Sequence, residues 1–139
     1  MRPVAAVLVT LWAGSLWTIC GIVAPMLFAK LGDRQLAGRM VAELFHIETW
    51  LGVAIGAVLV ALVFARRTLV PGAATLWLIA LTAGAPLVSE LVLGPMMDAA
   101  RAANHMSRFG MLHGVAAALF FAACLGALGL VWRVNRPAG

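Results

Sequence analysis

The chain has 139 residues, 64% of them hydrophobic and only 11% charged, with a formal net charge of +5. A mean hydropathy of +1.04 lies far from the mix of a soluble globular domain, which it excludes in favour of an integral membrane protein. The sequence pI near 11.1 is not a nucleic-acid signal, because the arginines flank apolar stretches and form no continuous basic face.

A spanning helix needs roughly 20 mostly apolar residues at about 1.5 Å rise each, so the chain has room for four spans and short connections. They are expected near 4–29, 41–65, 71–97 and 109–132. The expected fold is therefore all-α: a single four-span domain over 1–139, an up-and-down four-helix bundle whose main partner is the lipid bilayer. The first span begins with an early Arg2 and then an apolar run too long for a secretory signal and without a small-x-small cleavage site, so it reads as a retained signal anchor. Along it Gly14, Thr18, Gly21 and Pro25 form a stripe suited to close packing, with a kink expected at Pro25.

The second span carries "FHIETWLG" from Phe45. At 100° per residue Glu43, His46 and Trp50 share one face, whereas Glu48 falls on another with Gly52 and Gly56. That GxxxG spacing lets another backbone approach, either within the bundle or from a partner membrane protein or second copy. In the third span Pro86 lies one turn before Glu90 and Pro95 follows it, freeing backbone carbonyls near the carboxylate. The fourth has His113 between Gly110 and Gly114. Cys20 and Cys124 lie mid-span without CxxC spacing and read as packing residues, with no disulfide expected. The five tryptophans, Trp12, Trp17, Trp50, Trp77 and Trp132, read as lipid-facing or interfacial anchors.

Charge orients the spans. Arg2, Arg66, Arg67, Arg133 and Arg136 fall on one side, and Lys30, Arg34, Arg39, Arg101 and Arg108 on the other, so basic residues alone are tied. All five acids, Asp33, Glu43, Glu48, Glu90 and Asp98, belong to the second side or its half of the membrane. That side is formally neutral, which favours a bacterial inner (cytoplasmic) membrane location with both termini inside. His46, His105 and His113 and six of the seven methionines gather toward the same outer side. Ionisable groups within spans usually face the bundle interior or mark a functional path, so any chemistry belongs to this outer half.

The stretches "LWAGSLWTICGIVAPMLFAKL", "AGRMVAELFHIETWLG", "ELVLGPMMDAAR" and "FGMLHGVAAAL", with their F-H-I-x-x-W and F-x-x-L-H-G patterns, resemble bacterial members of domain-of-unknown-function family 4149, the transmembrane-protein-205-like family. The resemblance runs over nearly the whole chain. It implies a small four-span membrane protein and supplies no reaction; eukaryotic members are linked with resistance to metal-based drugs. More distantly the layout looks like the copper-resistance D and protoporphyrinogen-oxidase J membrane families, from which no residue role is carried over.

Three readings of the outer half follow. His46 and His113, on helices diagonal in an up-and-down bundle, could be the axial pair of a haem b. Glu43 and His46, in E-x-x-H spacing, could join Glu90 and His113 as a metal shell or a proton site. In the third reading, which weighs most, these residues pair structurally and the chain is an accessory or assembly subunit. No glycine-rich phosphate loop, GxSxG elbow or HExxH occurs, and Ser15, Ser89 and Ser107 have no positioned His and Asp nearby, so a non-enzymatic protein is expected.

Overall fold

The computed structural model describes residues 2–65 and 72–136. Arg66 and Arg67, assigned above to the basic side, and Pro71, the expected start of the third span, lie outside them. Among the described residues six α-helices and two π-helical turns make four rods: α1 (Arg2–Thr18), a π turn (Ile19–Val23) and α2 (Ala24–Lys30); then α3 (Arg34–Phe64); then α4 (Ala73–Val88), a second π turn (Ser89–Leu93) and α5 (Gly94–Ala102); then α6 (Met106–Asn135). Four helices, Pro3–Lys30, Arg34–Phe64, Ala73–Ala102 and Met106–Asn135, are long and apolar enough to cross a membrane. The all-α four-helix bundle expected from the sequence is the fold observed.

The spans are longer than expected because their polar flanks stay helical. "DAARAANHMSR" reads as a connection, yet it is helical to Ala102 and again from Met106. The turn between is a Schellman closure: His105 N–H donates to Ala100 O at 2.9 Å and Asn104 N–H to Arg101 O at 3.0 Å. Asn104, at φ 56°, takes the left-handed position that asparagine tolerates better than most residues. The other tight turn ends at Asp33, whose Oδ1 accepts from the N–H of Gln35 at 2.8 Å and of Leu36 at 3.2 Å, capping α3. These two turns lie at one end of the bundle, here the turn end; Arg2 and Asn135 lie at the other, the terminal end.

Each π turn precedes a proline. Pro25 and Pro95 cannot donate a backbone N–H, and an unmodified helix would press their rings against the carbonyl four residues earlier. One inserted residue of slack relieves this. Ala24 N–H reaches Ile19 O, and Gly94 N–H reaches Ser89 O. Sequence reading foresees a kink at Pro25 but not the widened turn beneath it.

Neighbours in the bundle follow a square, with the first rod against the second and fourth and the third against the second and fourth. A core with residues from all four rods, including Val9, Trp12, Leu16, Ile55, Leu59, Ile79, Cys124 and Leu130, fills the terminal half and the middle. Toward the turn end a second, smaller cluster gathers Leu93, Ala100, Leu112 and Ala116 from the third and fourth rods, and Ala37 and Val41 of the second rod are buried there as well.

Trp12 is the main departure from expectation. Read as a lipid-facing anchor, it is 1% exposed, because the notch of Gly52 and Gly56 receives its ring. A Cβ on Gly52 would lie 3.0 Å from Trp12 Nε1, and one on Gly56 would lie 3.2 Å from Ala83 Cβ. The expectation that this glycine pair could serve a partner or second copy is corrected accordingly: both glycines are buried and filled from within the chain. Trp50, Trp77 and Trp132 are exposed, as expected of lipid-facing rings, and Trp17 donates its indole N–H to Cys124 O at 3.1 Å.

Gly52→Leu should overpack this contact and destabilise the bundle by about 1 to 3 kcal/mol. Thermal unfolding in detergent reads it, with Gly38→Leu as control because a Cβ there meets nothing within 4 Å. Equal melting of the two variants would remove the Trp12 notch as a source of stability.

Candidate functional site

Two polar arrangements occur in the half of the bundle nearer the turn end, and α3 supplies a residue to each. Glu48 and His46 differ by two positions, which on a helix means about 200°, so they meet different neighbours. Glu48 continues the face of Gly52 and Gly56 one turn toward the turn end and is 3% exposed. Its Oε1 lies 2.8 Å from Ser15 Oγ, which is also 2.9 Å from Trp12 O. One hydroxyl hydrogen serves one of these acceptors at a time. Thr49 beside it is buried and donates to Phe45 O at 2.8 Å, so its own polar atom needs no distant partner.

His46 turns toward the third rod. Its Nδ1 lies 2.6 Å from Glu90 Oε1, with the two side chains 50% and 32% exposed. Glu90 belongs to the π turn Ser89–Leu93, and such turns re-aim side chains relative to a regular helix. The Trp50 ring, one turn further along α3, meets the imidazole edge to face at 6.4 Å between centroids. His46 is seven residues from Arg39 and Glu90 eight from Asp98, so the pair lies about 10 to 12 Å inside the polar flanks. The half-thickness of a bilayer core is about 15 Å, which puts this bond within hydrocarbon once the bundle is embedded.

His113 and Glu43 stand apart from that bond. His113 is exposed and stacks on Phe109 at 6.0 Å and 14°, while the Arg101 guanidinium covers Phe109 at 4.7 Å. Glu43 is exposed one turn before His46. Among the described residues no three His, Cys, Asp or Glu side chains gather in a way that could hold a metal ion.

A haem with His46 and His113 as axial ligands does not fit this register. Phe45 and Phe120 meet at 4.3 Å between centroids, which levels α3 against α6, two helices that run in the same direction. His113 then lies about 12 Å nearer the turn end than His46, whereas two axial imidazoles must face one iron at one level. The phenyl pair also occupies the space between the two helices.

No motif in the sequence marks Ser15 as the partner of Glu48. Nor does one mark Thr75, whose Oγ1 accepts from Arg133 Nε at 3.0 Å and ties the third rod to the fourth at the terminal end. The signal for Ser15 was present: it is one turn from Trp12 on the stripe that faces α3.

A bundle of four membrane-length helices, with Glu48 and His46 each paired across to another helix, defines a multi-pass integral membrane protein. Residues 7–106 match the model of the family described as Domain of unknown function (DUF4149), and the chain belongs to that family. No curated protein and no solved structure matches it.

Ser15→Ala should leave the buried Glu48 carboxyl without its partner and destabilise the protein by about 1 to 3 kcal/mol. Adding Glu48→Leu should recover most of that loss, since exchanging both partners for apolar groups is close to neutral. Denaturant titration of the three variants in one detergent checks this, and no recovery in the double variant would uncouple the two residues.

Proposed function

We propose that the chain is a non-enzymatic accessory or assembly subunit of the bacterial cytoplasmic membrane, with both termini on the cytoplasmic side. The observation that carries the reading is the direct His46–Glu90 bond. Each of these groups costs on the order of 2 to 3 kcal/mol to place within a bilayer on insertion scales, and each offsets the other's cost by holding the second span against the third. The net positive charge of the terminal side supports the orientation.

A second reading has its own support. With Nδ1 committed to a carboxylate, the imidazole has its Nε2 left to take a proton or a metal ion, and a carboxylate behind a histidine is the usual arrangement behind a metal-bound imidazole. Glu43 and His113 would have to approach for a fuller shell. The resemblance to the transmembrane-protein-205-like family accords with metal handling.

The following measurements decide. In a background with Cys20 and Cys124 replaced by alanine, Gln35→Cys and Thr68→Cys should label from opposite sides of the membrane, the second from the cytoplasm; labelling of both from one side overturns the topology. Protein purified from cells grown with added copper, zinc or haem precursor should show no Soret band and far less than one metal per chain, and should migrate with another membrane protein on native gels. His46→Ala should lower stability by about 1 to 2 kcal/mol, the range of a partly exposed charge-assisted hydrogen bond. A stoichiometric metal lost in both His46→Ala and Glu90→Ala would replace the accessory role with the metal reading.

A further inference from the structure

A cavity of about 420 Å³ opens at the turn end of the third and fourth spans, away from the His46–Glu90 bond. One part of its lining is apolar and comes from α5 and the turn after it: Pro95, Met96, Ala99 and Ala103, with the buried Ala100 beside them. Helical spacing puts these four in a strip about 12 Å long. The strip has a direction, since Ala99 and Ala103 lie beyond Asp98 in the polar flank and Pro95 and Met96 lie on its membrane side. The other part is cationic or titratable, His105 in the turn and Arg108 in the first turn of α6.

The charge is unanswered. Among the described residues the one ion pair joins His46 and Glu90, so no carboxylate holds Arg108. No acid lines the cavity; Asp98, the nearest acid in sequence, is exposed and does not contribute to it. Arg101, which could have competed for the same ligand, is laid over the Phe109 ring instead.

We propose that this groove binds one anionic phospholipid from the leaflet at the turn end. The shape asks for an amphiphile with a negative head at the boundary and an alkyl chain directed inward, in that order along the membrane normal. Arg108 takes the phosphodiester through its guanidinium fork, which suits phosphate oxygens better than an ammonium does. His105 stands on the same side as a second donor. The glycerol backbone lies along Ala103 and Ala99, where the small alanines leave room, and an acyl chain enters along Met96 and Pro95, where the flexible methionine adapts to it. The site is independent of the proposed accessory role and of any ligand at His46.

The full chain, delipidated in detergent and then incubated with vesicles of mixed phosphatidylglycerol and phosphatidylcholine, should retain one phosphatidylglycerol per chain in native mass spectrometry. Arg108→Gln should reduce that retention about fivefold, the effect of one basic side chain near a lipid surface. Ala99→Trp should reduce it comparably by filling the apolar strip, and Arg34→Gln, at the other tight turn, should leave it unchanged. Arg108 and Ala99 are both exposed, so the variants should melt with the wild type, and melting is recorded beside binding. Equal retention of phosphatidylcholine, or undiminished phosphatidylglycerol on Arg108→Gln, overturns the proposal. So does displacement of the lipid by millimolar inorganic phosphate with Ala99→Trp neutral, which would make the groove a site for the free anion.

Discussion

The seating of Trp12 between Gly52 and Gly56 is the contact on which the bundle depends. In hydrocarbon, apolar side chains gain little by leaving lipid for protein, so helices associate where backbones can approach closely and shapes interlock. Two glycines one turn apart make the recess, and an indole fills it. The same notch reaches Ala83 of the third span through Gly56, so three of the four rods meet around it. Ser15, one turn from Trp12, is thereby brought to Glu48, one turn from Gly52. The polar bond is a consequence of the apolar fit, and a buried carboxyl is tolerated because the fit delivers its partner.

At the turn end the bundle is held differently. One buried cluster there draws on the third and fourth spans; the second span is joined to them by Phe45 against Phe120 and His46 against Glu90, and the first meets the fourth through Trp17 against Phe121. The half of the molecule rich in titratable groups also has the smaller buried cluster, and local opening should begin there.

Much of this was legible in the sequence. The four spans follow from hydropathy and length, and the 200° between His46 and Glu48 correctly separates a packing face from a polar face before any partner is known. The glycine notch was legible as a close contact but not as the seat of Trp12, because tryptophan in a membrane chain is read by statistics of the interface and the filling of a notch depends on two helices at once. The extent of α5 was missed since polar residues at a span's end look like a loop, although helix formation does not stop where hydrocarbon does. The relative heights of His46 and His113 were out of reach: they depend on the register of α3 against α6, which Phe45 and Phe120 set and no pattern within either helix encodes.

The two widened turns have a further consequence. Ile19 and Ser89, Pro25 and Pro95, Met26 and Met96 are each separated by the same interval, as are Leu11 and Leu81, Ala13 and Ala83, and Gly14 and Gly84. The first and third rods are thus copies of one pattern, running the same way across the membrane at opposite corners of the square. A half-turn about the membrane normal exchanges them and exchanges the second rod with the fourth. Under that operation Cys20 takes the place of Glu90, each the second residue of its bulge. Glu90 reaches sideways to His46 on the second rod, and Cys20 reaches sideways to Cys124 on the fourth. The two rods share a bulge of the same kind and differ in what it carries, an acid–base couple on the third and a pair of thiols on the first.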